Sequence, residues 1–167
     1  MVDPVDSYII PPISPQTGLI IAGLISTGLL GGALLFQHVG GLAPCNLCVW
    51  QRWPHLAVMF FSLAGLCNIR PQVMLALILF TGIISAGLGG YHAGVEWQLW
   101  AGPSGCTATL SLDGNIASMT DQLLATPLVR CDEVVWSLFG LSMAGWNALI
   151  SLDIIAIALI SLRNFTR

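Results

Sequence analysis

The sequence predicts an all-α membrane protein, an antiparallel bundle of four transmembrane helices whose long second outer loop carries a short interfacial helix. Three observations carry that expectation. Of 167 residues, 56% are hydrophobic and only 8% are charged, with no lysine, whereas a soluble domain carries roughly 25% charged residues. Four apolar runs are each long enough, at about 1.5 Å per residue, to approach or cross a hydrocarbon core of about 30 Å. One long stretch, approximately 93–143, is polar and holds two cysteines. A net charge of −3 with five arginines leaves no basic stripe, so nucleic acid is an unsuitable partner.

In chain order, Met1 to Gln16 reads as an irregular tail with four prolines and two aspartates. It lacks the basic n-region of a secretory signal, so the first span is expected to act as an uncleaved anchor. That span covers about 17–39, and Gly28 and Gly32 form a Gly-x-x-x-Gly pair expected to bring a neighbouring helix close. A short turn leads to the second span, about 49–69, starting at Cys48 or Val49. It should be distorted around Pro54, whose ring clashes with the carbonyl four residues back. The third span runs over about 73–92, with Gly82, Ala86 and Gly90 as its small-residue face. The fourth runs over about 144–162. Loops of about 40–48 and 93–143 then lie on one side, the second with an amphipathic piece near Ile116 to Leu124. All of residues 1–167 read as one domain.

Orientation follows from two counts. Arg70, Arg163 and Arg167 lie on the side of the termini, against Arg52 and Arg130 opposite, which puts both termini in the cytoplasm. All six tryptophans flank the opposite side, as an interfacial belt does, and four of the five cysteines lie there too, the oxidising side in a bacterium. Cys67 is expected to be inert packing.

The chemistry concentrates at Cys45-Asn-Leu-Cys48-Val-Trp-Gln-Arg52. Two thiols with two residues between them can close a small disulfide ring, and a Cys at a helix start is readily held as a thiolate, because the helix N-terminus favours the anion. Arg52, four residues beyond Cys48, adds a cation on the same face. A structural disulfide between Cys45 and Cys48 would constrain almost no chain, so these two are candidate redox residues. The four outer cysteines allow three pairings; Cys45 with Cys48 and Cys106 with Cys131 keeps each loop self-contained. Cys106–Cys131 alone is equally compatible with a structural staple. A four-thiolate zinc site fits poorly, since a second Cys-x-x-Cys is missing. His92 and Glu96, one helical turn apart, are candidates for proton transfer or for an ordinary helix-end pair. Asp153 is a buried-depth acid for which His55 is the expected partner.

Cys45-x-x-Cys48-x-x-x-Arg52 after the first span, Tyr91-His-Ala-Gly-Val-Glu-Trp97 with Gly102-Pro103 and Cys106, and Cys131-Asp-Glu-x-x-x-Ser-Leu-Phe-Gly-Leu-Ser-Met-x-x-Trp146 together resemble the DsbB family of bacterial disulfide bond formation proteins. The resemblance covers roughly residues 35–162. It implies a thiol:quinone oxidoreductase of the inner membrane, with a quinone cofactor (ubiquinone or menaquinone) and a periplasmic thioredoxin-fold partner of DsbA type. By similarity the partner attacks at Cys106, Cys131 leaves, and exchange with Cys45–Cys48 carries two electrons to the membrane surface. There Cys48 faces the quinone and Arg52 donates to a quinone oxygen, with His92 and Glu96 beside it; no metal is implied. Two alternatives are a quinone reductase like vitamin K epoxide reductase, which expects the Cys-x-x-Cys at a late helix, and a non-enzymatic tetraspan scaffold of claudin type. The scaffold leaves Cys45, Cys48 and Arg52 without a purpose.

Overall fold

A computed structural model describes residues 13–103, 106 and 129–165. It is almost wholly helical: α1 (Pro15–His38), α2 (Asn46–Trp50), α3 (Arg52–Leu66), α4 (Pro71–Glu96) and α5 (Met143–Phe165), with a two-stranded hairpin, β1 (Ser137–Leu138) and β2 (Leu141–Ser142), before α5. The helix starts follow from local chemistry. Ser14 caps α1 by accepting the Thr17 N–H at 3.1 Å, with Pro15 in the first turn. Ser142 Oγ accepts the Gly145 N–H at 3.2 Å at the head of α5. Both helices therefore begin slightly before the apolar runs that announce them, and α4 extends past His92 to Glu96. The piece near Ile116 to Leu124 lies outside the described residues.

Among the described residues, three helices are long and apolar enough to cross a membrane: Pro15–His38, Pro71–Glu96 and Met143–Asn164. The expected second span is instead divided at Gln51 into α2 and α3, the latter of 15 residues. Pro54 is the cause. It has no N–H to offer the Trp50 carbonyl four residues back, and its ring pushes that carbonyl aside. The Gln51 N–H still reaches Leu47 O at 3.1 Å, so α3 continues α2 across a local break.

Helix α4 packs along α5 and α3, and α1 packs along α3 and α5. Leu19, Ala22, Val58, Leu75, Ile78, Ile154 and Ala158 meet in the middle as a buried core. The outside is equally apolar: Leu24, Phe60, Leu63 and Phe80 are each more than 60% exposed. Water would penalise such a surface at about 25 cal/mol per Å²; lipid does not.

Where glycines bring helices together differs from the expectation. A Cβ at Gly89 would lie 2.8 Å from Ala148 N and 3.0 Å from Ala144 O, and one at Gly82 would lie 3.0 Å from the Ile155 side chain, whereas Gly90 meets open space. The contact face is Gly82, Ser85, Gly89, because steps of three and four track the 3.6-residue turn while repeated steps of four drift off it. Gly28 and Gly32 likewise meet nothing within 4 Å; the close approaches of α1 are at Gly18 against Ser161 and Gly23 against Ser62. Gly89→Val is therefore expected to lower the melting temperature in detergent, at a cost of about 1–3 kcal/mol for forcing α5 backbone away. Gly90→Val should leave it nearly unchanged.

Candidate functional site

Cys45 is the N-cap of α2. Its extended backbone (φ −74°, ψ 170°) turns Sγ over the first turn, where it accepts the Cys48 N–H at 3.2 Å. The Cys45 thiol donates to Cys48 Sγ at 2.8 Å. That bond holds the Cys48 thiol below its ordinary pKa, against the opposing effect of burial, and Arg52 adds a smaller push in the same direction. The same bond, burial and the charge on Cys48 push Cys45 up. Of the two, Cys48 is the thiol that ionises first, and Cys45 keeps its proton longer. Cys45, Cys48 and His92 offer ligand atoms within 4.8 Å of one another. Sulfurs 2.8 Å apart, however, are too close together for a metal site, since two thiolates on tetrahedral zinc sit about 3.8 Å apart.

Cys106 and Cys131 form a disulfide, with Cα atoms 5.3 Å apart, and the Cys131 N–H donates to Cys106 O at 2.9 Å. The chain after α4 is folded back to deliver Cys106. Trp100 Nε1 donates to Tyr91 O at 3.0 Å, the Tyr91 hydroxyl donates to Ala101 O at 3.1 Å, and the Trp100 ring fills the space a side chain at Gly94 would need. Cys45, Leu47, Val95, Cys106 and Cys131 share one buried cluster, with Cys48 and Val129 packed against it. Both cysteine pairs thus meet although they come from separate loops.

Beside them lies a cavity of about 420 Å³ between α1, α2–α3 and α5. Cys48, Arg52, His92 and Glu96 stand at its polar end, and Gly28, Gly32 and Ile150 form part of its apolar wall. Here the Gly28–Gly32 pair finds its use: missing side chains leave room. Arg52 Nη1 donates to Gln37 Oε1 at 2.7 Å, while its buried Nε–H has no partner among the described residues. Glu96 accepts the Ser142 hydroxyl and lies 4.0 Å from His92 Nε2.

Sequence comparison decides the family at this point: the family model described as Disulfide bond formation protein DsbB matches residues 15–161. The chain belongs to the DsbB family. It is 32% identical over 158 residues to Disulfide bond formation protein B 2 of Pseudomonas aeruginosa, covering 88% of this chain and 85% of that protein. It is 33% identical over 145 residues to Disulfide bond formation protein B of Pasteurella multocida (81% and 79%), and 32% over 165 residues to that of Methylococcus capsulatus (92% and 98%). As a DsbB-family protein it is a membrane protein of disulfide bond formation, an oxidoreductase.

In this DsbB-family chain the structure brings Cys45, Cys48, Arg52, His92, Glu96, Cys106 and Cys131 into one neighbourhood. It corrects the expected His55–Asp153 pair. His55 Nε2 instead donates to Asn147 Oδ1 at 2.7 Å, and Asp153 is exposed. Six residues separate Asn147 from Asp153, a rotation that carries Asp153 about 120° off the inward face. Cys67, expected to be inert packing, is exposed at the end of α3. Gln51 and Asn147 were not legible as site residues, although a buried amide inside an apolar run is itself a signal. The hairpin was also missed. Phe139 (φ 52°) and Gly140 (φ 77°) make its two-residue turn, and Trp146 Nε1 pins it by donating to Leu138 O at 3.1 Å.

Proposed function

We propose that the protein reoxidises a reduced periplasmic thioredoxin-fold partner of DsbA type and passes the electrons to a membrane quinone. The carrying observation is that both cysteine pairs pack in one cluster beside a cavity lined by Arg52, whose buried Nε–H has no partner among the described residues. DsbA, DsbB and quinone are an established route for keeping the bacterial periplasm oxidising. On this reading α2 and α3 together complete a fourth pass through the inner membrane. Both termini are then cytoplasmic, and the cysteines and tryptophans face the periplasm.

The cavity fits a quinone. It is walled mainly by apolar side chains, is of the size small cofactors occupy, and is lined by Cys48 and by Arg52, whose Nε–H has no partner among the described residues. A bound quinone supplies a two-electron, two-proton acceptor. The chain's own residues perform the thiol chemistry. A partner thiolate attacks Cys106 Sγ, the Cys106–Cys131 bond breaks, and Cys131 leaves as a thiolate. Because both sulfurs are buried, with Cys106 only 2% exposed, Cys106 must leave the cluster for in-line attack. The Cys131 thiolate then attacks the oxidised Cys45–Cys48 pair. The second partner thiol releases the partner as a disulfide, and Cys106–Cys131 is restored with Cys45 and Cys48 reduced. Cys48 then presents its anion to the cavity, Arg52 offsets the charge, and Cys45 holds a proton.

The direct test is quinone reduction by the purified protein on adding reduced DsbA-type partner. Turnover is expected; its absence with ubiquinone and menaquinone analogues, in protein with intact disulfides, would overturn the proposal. Gly32→Leu is expected to raise the quinone KM about tenfold or more by filling the cavity wall, with little change in melting temperature, since a Cβ there meets nothing within 4 Å.

A further inference from the structure

The polar groups around His92 form a buried chain that links four helices, α1, α3, α4 and α5. Ser26 Oγ lies 3.4 Å from His55 Nδ1, His55 Nε2 lies 2.7 Å from Asn147 Oδ1, Asn147 Nδ2 lies 2.7 Å from Gln51 Oε1, and Gln51 Nε2 lies 2.6 Å from His92 Nδ1. His92 Nε2 ends the chain 3.6 Å from Cys45 Sγ. Ser26, Gln51, His55, His92 and Asn147 are all at least 90% buried. Buried groups of this kind must be paired or pay for desolvation, and each amide here pairs with both its ends. An amide has its donor and acceptor on different atoms, so the chain has one direction: Ser26 donates to His55, His55 to Asn147, Asn147 to Gln51, and Gln51 to His92. The last bond leaves His92 Nδ1 as an acceptor and puts the ring hydrogen on Nε2.

We propose that Gln51, held by Asn147 and His55, is a positioning residue that keeps His92 in the Nε2–H tautomer, so that His92 offers Cys45 a hydrogen-bond donor and not a base. This deepens the proposed function, and takes from it only that Cys45 and Cys48 are the working pair. In this tautomer His92 Nε2 cannot take the Cys45 proton, because that nitrogen already carries one. The proton stays on the thiol pair, shared across the 2.8 Å bond to Cys48. The Nε2–H of His92 stabilises negative charge on that pair, and does so again on whichever sulfur leaves during exchange. Glu96, 4.0 Å from His92 Nε2, lies beyond direct bonding reach; the Cys131 backbone carbonyl also accepts from the His92 ring, and with Nδ1 accepting from Gln51 that hydrogen is shared between this carbonyl and the sulfur. The other ionisable groups lining this cavity are Cys48, Arg52, His55, Arg130 and Glu133, none of which is bonded directly to His92.

The chain makes Gln51 the determinant, because a carboxylate there can only accept. Gln51→Glu is expected to reverse the last bond, moving the hydrogen to His92 Nδ1 and leaving a bare Nε2 facing Cys45. Asn147→Leu removes the donor that orients Gln51, so His92 should become a mixture of tautomers.

The test is nitrogen-15 NMR of histidine-labelled protein in micelles, where three histidines give three imidazoles and His92→Phe assigns one. The wild-type His92 is expected as Nε2–H, Gln51→Glu as Nδ1–H, and Asn147→Leu as a mixture. Alkylation of the reduced Cys45–Cys48 pair at pH 7, with Cys67→Ala and the outer pair replaced by serine, should slow about tenfold in Gln51→Glu as the donor to sulfur is lost. A wild-type His92 carrying its hydrogen on Nδ1, or the same tautomer in all three proteins, would overturn the proposal. Gln51→Glu changes neither size nor exposure, which protects the test should Asn147→Leu fold poorly. Neither readout uses quinone or partner, so a failed turnover assay would sink the proposed function and leave this result standing.

Discussion

Cys48→Ser is expected to bring quinone reduction down to background while the protein remains folded. The Cys48 anion is the sulfur that the Cys45 thiol, the Cys45 backbone and Arg52 stabilise together, and a serine hydroxyl supplies neither its nucleophilicity nor a route for two electrons. The same electrostatics give a pH signature. A neutral alkylating agent reads the thiolate fraction, which is present above the pKa and lost below it. Because the Cys48 pKa is lowered, its alkylation should persist as pH falls below the ordinary thiol value of about 8.5 and fade only through the lowered one. Cys45→Ala removes the first of the causes, the bond from the Cys45 thiol, and should move that titration upward. Quinone reduction that survives Cys48→Ser would place the electron exit elsewhere.

Cys106→Ser should separate the two halves of the reaction. Oxidation of the reduced partner is expected to be lost, because the Cys106–Cys131 bond no longer exists to be attacked. Reduction of quinone by a small dithiol such as dithiothreitol should continue, since Cys45 and Cys48 still lie beside the cavity. The measurement is a pair of rates on one preparation, partner-driven and dithiol-driven. Loss of both would show that the outer disulfide holds the cluster of Cys45, Leu47 and Val95 together and does more than relay electrons. Retention of both would show that the partner reaches the Cys45–Cys48 pair directly.

Much of this was legible in the chain. An 8% charged composition and apolar runs of spanning length announce a membrane protein, because a membrane solvates side chains but no unpaired backbone. Cys45-x-x-Cys48 and Arg52 announce the thiolate, because helix starts and cations stabilise anions locally. Pro54 announced its own distortion, which fell at the residues preceding it. These are effects of neighbours in sequence, and sequence shows neighbours.

The tertiary structure decided what depends on helix phase and distance. Gln51 bonds His92 across 41 positions and Asn147 across 96. Whether His55 meets Asn147 or Asp153 turns on about 120° of rotation that no single helix specifies. Gly28 and Gly32 carried the pattern of a packing motif, yet they line a cavity, because a glycine without a Cβ permits either a close neighbour or an empty space. Which of the two occurs is set by where the facing helix lies, and that is fixed by the packing of α3, α4 and α5 around it.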